Sequence, residues 1–126
     1  YSYRTSNIDK KSIIISVKLL KQTTNFDMNL LNLLNQKRKI SQPINQLSCG
    51  CIFKNPSGDY AARLIDSAQL KGSRAGGIYI SHKHSNYFIN DGSGTYRDFL
   101  VLLRRVKEVI ASKFSVNLDE EVILLK

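Results

Sequence analysis

A chain of 126 residues, 42% hydrophobic and 23% charged, has the size and composition of one globular domain that buries a single core, which excludes a disordered or fibrous chain. It holds no uninterrupted apolar run of the ~18 residues a membrane-spanning helix needs, so a cytoplasmic setting is expected. A formal net charge of +9 selects anionic partners such as nucleic acid, anionic lipid or phosphorylated metabolites, without choosing among them.

The chain opens on Tyr1-Ser2-Tyr3-Arg4, with no initiator methionine and no turn or cap that would mark a domain edge, and is expected to be a piece of a longer protein. Ser12 to Leu20 reads SIIISVKLL, a β-branched run bounded by polar residues that predicts a central strand. From Asp27 to about Lys37, Leu30, Leu31 and Leu34 recur at helical spacing behind Asp27 as N-cap, and the following basic cluster suits the negative end of the helix dipole. Ile40 to Pro56 has no periodicity and contains both prolines, and a loop of that length inside a small domain is often functional. A second helix is predicted over Asp59 to Ala68, with Ala61, Leu64, Ile65 and Ala68 on one face.

After Gly72 the period changes: Gly77 to Ser81 and Asn86 to Asn90 predict two strands of a hairpin. Thr95 with Asp98 three residues on resembles a capping box, opening a helix to about Phe114 with a seam of Phe99, Leu103, Val106 and Ile110. Glu121 to Leu125 predicts a last strand. Together these elements give an α+β fold, a two-layer sandwich of a mixed or antiparallel sheet with helices on one face.

Basic residues are spread along the chain, as in Lys37-Arg38-Lys39 and Arg104-Arg105, with no run of five or more, which fits a solvated surface with a local phosphate site. No base-reading motif of standard spacing occurs. Cys49 and Cys51 are too few and too close for a disulfide framework, and are expected as reduced thiols. With His82 and His84 they could supply four zinc ligands, but both pairs are spaced more tightly than zinc motifs use, and no metal is expected. The segment Ser48 to Pro56 holds a glycine that lets backbone approach a ligand, a lysine and an asparagine; it reads equally as a binding loop or as an ordinary turn with buried cysteines.

Within it, Gly50-Cys51-Ile52-Phe53-Lys54-Asn55-Pro56 resembles the G-S-x-F-K-N-P loop of the UDP-N-acetylenolpyruvoylglucosamine reductases, the MurB family. Other segments agree in order. Tyr3-Arg4-Thr5-Ser6 is similar to Y-R-x-S, Gln42-Pro43 to Q-P, and Ala62-Arg63-Leu64-Ile65-Asp66 to A-G-x-L-I-E. Leu70-Lys71-Gly72 with Gly76-Gly77 resembles L-K-G followed by G-G, the stretch Ser81 to Asn90 resembles S-x-K-H-x-N-F-I-V-N, and Leu118 to Val122 resembles L-E-x-E-V. The resemblance spans nearly the whole chain. Its hairpin version is similar to the subclass that lacks an extra tyrosine-bearing loop.

The resemblance implies reduction of the enolpyruvyl ether of UDP-N-acetylglucosamine to UDP-N-acetylmuramate, with NADPH reducing a bound FAD. It makes Cys51 the proton donor, where the family pattern has serine. A thiol, with an ordinary pKa of ~8.5, stays protonated at neutral pH yet is far more acidic than an alcohol, so the exchange suits a general acid. Arg4 and Glu121 match the other two catalytic positions, which polarise the substrate carboxylate and stabilise the enol-like intermediate. Lys39, Lys54, Asn55, Lys71 and His84 match substrate-binding positions, and a diphosphate calls for such cations and donors.

The same resemblance divides the chain into residues 1–10, the tail of a missing FAD-binding part, and 11–126, a C-terminal substrate-binding domain. Most of the FAD site then lies outside this chain, whose partners are the substrate and the flavin-binding part of the same protein, and the 126 residues alone are expected to be colourless and inactive. The alternative that charge alone allows is a basic, non-catalytic nucleic-acid-binding module, whose affinity would fall steeply with salt where a shaped diphosphate-sugar pocket would discriminate among anions.

Overall fold

The computed structural model describes residues 6–9, 11–20 and 27–124. Its elements in chain order are α1 (Met28–Ser41), α2 (Ala61–Ser67), β1 (Arg74–Ala75), β2 (Ile78–Ile80), β3 (Phe88–Asn90) and α3 (Tyr96–Phe114). The strands form one antiparallel sheet in the order β1-β2-β3, and the fold is α+β as the alternation of periods predicts.

Local chemistry sets α3. The Thr95 hydroxyl accepts from the Asp98 N–H at 3.2 Å while the Asp98 carboxylate accepts from the Thr95 N–H at 2.9 Å, so the predicted capping box closes both ways. The helix then buries Leu102, Leu103, Val106 and Ile110 on one stripe, with Phe99 partly buried at its start, and stops at Ser115 in the left-handed conformation. Asp27 caps α1 as predicted, its side chain accepting from Asn29 and Leu30 N–H at 2.9 and 3.1 Å, and the helix runs past Lys37 to Ser41. The α2 helix is shorter than the predicted Asp59–Ala68.

The hairpin register pairs Ile78 with Asn90, Tyr79 with Ile89 and Ile80 with Phe88. Side chains alternate across it. Ile78, Ile80 and Phe88 join the core beneath α3, which crosses β1 and β2 and carries α2 against its side, while Tyr79 and Ile89 lie on the face away from the helices. The hairpin approaches the α3 entry turn so closely that a Cβ on Gly77 would lie 2.2 Å from the Gly94 nitrogen, which fixes glycine there.

Two strand expectations fail. Residues 12–20 form no strand, and Ile13, Ile15 and Leu20 are 88%, 94% and 94% exposed. A β-branched run becomes a strand only where an edge pairs with it, and among the described residues no edge does. At the other end, only Glu120 pairs, with Phe53, and 121–124 are irregular; Leu125 lies outside the described residues. That pairing is held by Lys54 N–H donating to the Asp119 carbonyl at 2.9 Å and Glu121 N–H donating to that of Ile52 at 2.8 Å, and goes no further. The core cluster itself runs from Ile52 to Leu118, and α1 buries none of its residues. Among the described residues no helix is long and apolar enough to cross a membrane.

Candidate active site

The segment 47–54, predicted as a loop, is a pair of half-ladders. Leu47 pairs with Asn90 and Cys51 with Tyr87 on the β3 side, and Phe53 pairs with Glu120 on the other. Its backbone bonds follow the same course: Asn90 N–H donates to the Leu47 carbonyl at 2.9 Å, Ile52 N–H to that of Asn86 at 2.9 Å, and Glu121 N–H to that of Ile52 at 2.8 Å. The side chain of Asn86, itself buried, adds a second backbone-like partner: its Oδ1 accepts from Phe53 N–H at 3.0 Å and its Nδ2 donates to the Phe53 carbonyl at 2.8 Å. Ile52 and Phe53 are fully buried, and the Phe53 ring meets Phe88 edge-on at 6.2 Å. Two buried anchors and a buried amide thus hold Cys51, which is half-buried, at the edge of the sheet.

Residues opposed across a bridge share a face. Alternation from Phe88 puts Tyr87 on the face away from the helices, and the bridge sets its side chain beside that of Cys51, which contributes to raising the Tyr87 pKa. Burial is the main influence raising the Tyr87 pKa, with Cys51 and Glu121 adding to it and the Arg38 guanidinium opposing. Glu121 therefore lies close enough to act on this phenol, and its Oε2 atom is buried. The His84 ring packs edge-on against Tyr87 at 4.7 Å between centroids, and its Nδ1 accepts from Asn86 N–H at 3.3 Å. Burial first, and then the nearby Lys71 ammonium, lower the His84 pKa, which favours the neutral ring.

Of the residues singled out in the sequence, the fold gathers Cys51, Glu121, His84 and, beside the histidine, Lys71 around Tyr87. Lys71 also pairs with Asp66 at 2.7 Å. Lys54 is exposed one turn of chain beyond Phe53, its N–H bonded to the Asp119 carbonyl at 2.9 Å. Asn55 has its Oδ1 engaged by the Ala61 N–H at 3.1 Å, at the start of α2. Lys39 stands apart, on a cleft of about 450 Å³ shared with Gln46, Tyr79, His82 and Lys83; the Lys83 ammonium donates to the Lys39 carbonyl at 2.6 Å. Arg4 lies outside the described residues. Among the described residues no three His, Cys, Asp or Glu side chains are grouped to hold a metal ion.

Sequence reasoning missed Tyr87 and Asn86. The signal for Tyr87 is present, since tyrosine stands where the family pattern S-x-K-H-x-N-F-I-V-N has phenylalanine, one hydroxyl more than packing needs. Asn86 carried no signal of its own, because an asparagine in a predicted hairpin reads first as turn chemistry.

The arrangement brings an acidic X–H group, half-open to a ligand, near a carboxyl, the elements a general acid needs. Residues 42–125 match the family model described as UDP-N-acetylenolpyruvoylglucosamine reductase, C-terminal domain. A UDP-N-acetylenolpyruvoylglucosamine reductase of Fusobacterium nucleatum is 34% identical over 125 residues, covering 99% of this chain and 44% of the relative. One of Coxiella burnetii is 44% identical over 92 residues, covering 73% of this chain and 29% of the relative. The crystal structure of UDP-N-acetylenolpyruvylglucosamine reductase (MurB) from Thermus caldophilus superposes with a TM-score of 0.62 at 38% identity, covering 75% of this chain and 33% of that one. The chain spans less than half the length of the curated relatives it matches. The family-model match over residues 42–125, the identity to these reductases along nearly the whole chain and the shared α+β scaffold place the chain in the UDP-N-acetylenolpyruvoylglucosamine reductase family, as its C-terminal domain.

Proposed function

We propose that this chain is the substrate-binding part of a cytoplasmic reductase that converts UDP-N-acetylglucosamine enolpyruvate to UDP-N-acetylmuramate in peptidoglycan precursor synthesis. The observation that carries the reading is the gathering of Cys51 and Glu121 about Tyr87. In the whole protein a bound FAD, reduced by NADPH, supplies the hydride. Residues 1–10 end the FAD-binding part and 11–126 form the substrate domain. The chain itself offers no cofactor cradle in the glycine-bearing turn that leads β3 into α3: Gly92 and Gly94 N–H donate to Asn90 Oδ1 at 2.8 and 2.9 Å, Ser93 N–H to Asp91 at 3.0 Å, and Thr95 N–H to Asp98. Helix-start amides already engaged in this way are closed to a pyrophosphate.

What these residues contribute is the substrate's side of the reaction. Addition of hydride to the terminal carbon of the enolpyruvyl group leaves negative charge on the carboxylate-conjugated carbon next to it. Cys51 then gives up its S–H proton to that carbon, leaving a thiolate that water reprotonates. Glu121, once it carries a proton, donates to the enolate oxygen, and Arg4 holds the carboxylate. Lys39, Lys54, Asn55, Lys71 and His84 hold the nucleotide diphosphate. The apolar run 12–20 and the exposed leucines of α1 form the side on which the flavin-binding part packs; their exposure here supports that placement.

The test is substrate-dependent NADPH oxidation by the full-length protein with Cys51 and with Cys51→Ala. The expected outcome is turnover lowered at least ~100-fold while NADPH still bleaches the flavin at the original rate, the size expected for loss of a general acid. Retained turnover would remove Cys51 from the proton-donor role, and no turnover in the unaltered protein would overturn the reductase reading.

A further inference from the structure

Tyr87 has no part in the reaction so far. Its ring is accounted for by packing: it is 9% exposed, lies against His84, and sits where a phenylalanine would fill the same space. Its hydroxyl is not accounted for that way. A buried phenol needs a hydrogen-bond partner, since leaving one without costs ~1–3 kcal/mol. The side chain placed to serve as that partner is Cys51, directly across the β-bridge.

We propose that Tyr87 is the positioning residue for Cys51: its O–H donates to the sulfur, fixes the thiol in one orientation, and carries part of the charge of the thiolate that remains once the proton has left. The proposal rests on the proton-donor reading of Cys51 and extends it. The direction of donation follows from acidity. A thiol ionises near ~8.5 and a phenol near ~10, so when one of the pair must lose its proton the sulfur does so first and the phenol remains the donor. Burial and the neighbouring Cys51 and Glu121 side chains push the phenol pKa further up, which keeps that order. Of the charged groups near the phenol, Glu121 opposes its ionisation and Arg38 favours it, while His84 packs on the Tyr87 ring with Lys71 near the histidine. Within the step itself, the S–H bond breaks, a C–H bond forms on the substrate, and the electron pair stays on sulfur under the Tyr87 O–H.

This departs from a serine donor in a way that explains the tyrosine. A serine alkoxide is never the resting product of such a transfer at neutral pH, so it gains little from a fixed phenol donor. A thiolate is an attainable product, and a hydrogen bond to it stabilises the charge directly.

The test uses the full-length protein in a Cys49→Ser background, so that Cys51 is the thiol of the loop that alkylates. Its iodoacetamide reaction rate is followed against pH, with peptide mapping, in the presence of Tyr87 and in Tyr87→Phe. Loss of the donor raises the apparent pKa of Cys51 alkylation by about one unit, a tenfold change in the ionisation equilibrium. Reoxidation of the reduced flavin by substrate slows ~10-fold, as expected for one hydrogen bond to a charged group, while flavin reduction by NADPH is unchanged. Coincident pH curves, or a downward shift, would overturn the proposal. A purely structural role for Tyr87 would lower the thermal midpoint and leave the alkylation pKa in place.

In protein carrying ¹³Cζ-tyrosine, one resonance must shift when Cys51 is alkylated. Absence of that shift also overturns the contact, and this reading needs no Tyr87 variant. If the unaltered protein turned over no substrate, the reductase reading would fail while the alkylation and resonance data still reported on the Tyr87–Cys51 bond.

Discussion

Replacing Asn86 by alanine removes the clamp on the Cys51 loop, and its cost can be worked from the structure. The Asn86 amide is 2% exposed and holds both the N–H and the carbonyl of Phe53, a residue with no exposed surface. Without the amide, two buried backbone groups lose their partners, at ~1–3 kcal/mol each. A total loss of about 2–6 kcal/mol is expected, which in a domain of this size lowers the thermal midpoint by at least ~8 °C. Asn86→Asp separates hydrogen bonding from packing. Its carboxyl can still accept from Phe53 N–H, but can donate to the Phe53 carbonyl only when protonated. Burial raises the folded pKa of the introduced carboxyl above its unfolded value of ~3.9. Its stabilising bond is therefore present below the unfolded pKa and is lost as pH rises through the folded one. Calorimetry of the full-length protein at about pH 4 and about pH 7 should find Asn86→Asp close to the original at the lower pH and near Asn86→Ala at the higher. A loss under ~0.5 kcal/mol for Asn86→Ala, the level of an ordinary surface substitution, would refute the reasoning. So would an aspartate variant that gains stability between those two pH values.

Two further outcomes follow from the caps and pairs around the core. Thr95→Ala removes the hydroxyl that accepts from Asp98 N–H and donates to its carboxylate at 2.8 Å, and should cost about 1 kcal/mol, read as a lowered unfolding midpoint. The Thr95 N–H and hydroxyl hold the Asp98 pKa below its ordinary value, so NMR titration should find it moved back up in that variant. The Lys107 ammonium, 2.7 Å from Glu120, is the main influence lowering the Glu120 pKa. A depressed carboxyl contributes stability above its unfolded pKa and loses it as pH falls through the folded one, so the stability gap between the original and Lys107→Met should close under acid. A gap that widened would show that the pair does not tether the 119–121 segment.

The parts of this fold that were legible beforehand are those whose causes are local. The α3 cap is written in Thr95 and Asp98, its buried stripe in the spacing of Leu103, Val106 and Ile110, and the hairpin in two short apolar runs around a polar turn. Residues 12–20 have the same β-branched signature yet form no strand, because pairing depends on an edge that spacing cannot supply. The strand expected to begin at Glu121 is reduced, among the described residues, to one bridge at Glu120, whose partner Phe53 lies far back along the chain where spacing cannot register it. At the site, Cys51 and Glu121 were named from motif and do converge. Asn55 was read as a ligand donor but has its side-chain oxygen on the first amide of α2, a contact that a motif does not specify. Tyr87 acquires its chemistry from the residue opposite it, which only the bridge register reveals.

The bridges that hold the Cys51 segment also fix when it can form. Both of its partners lie downstream, Asn86 and Tyr87 in the hairpin and Glu120 behind α3. During vectorial synthesis the chain emerges from its N-terminal side, and non-local pairings wait for their loops to close. Residues 47–54 therefore leave the ribosome without a template, gain one edge when the hairpin appears, and gain the second only after the whole of α3 has been made. The Cys51 thiol is among the last groups to be seated, and until then Ile52 and Phe53 beside it are exposed to any chaperone or stray strand edge they meet.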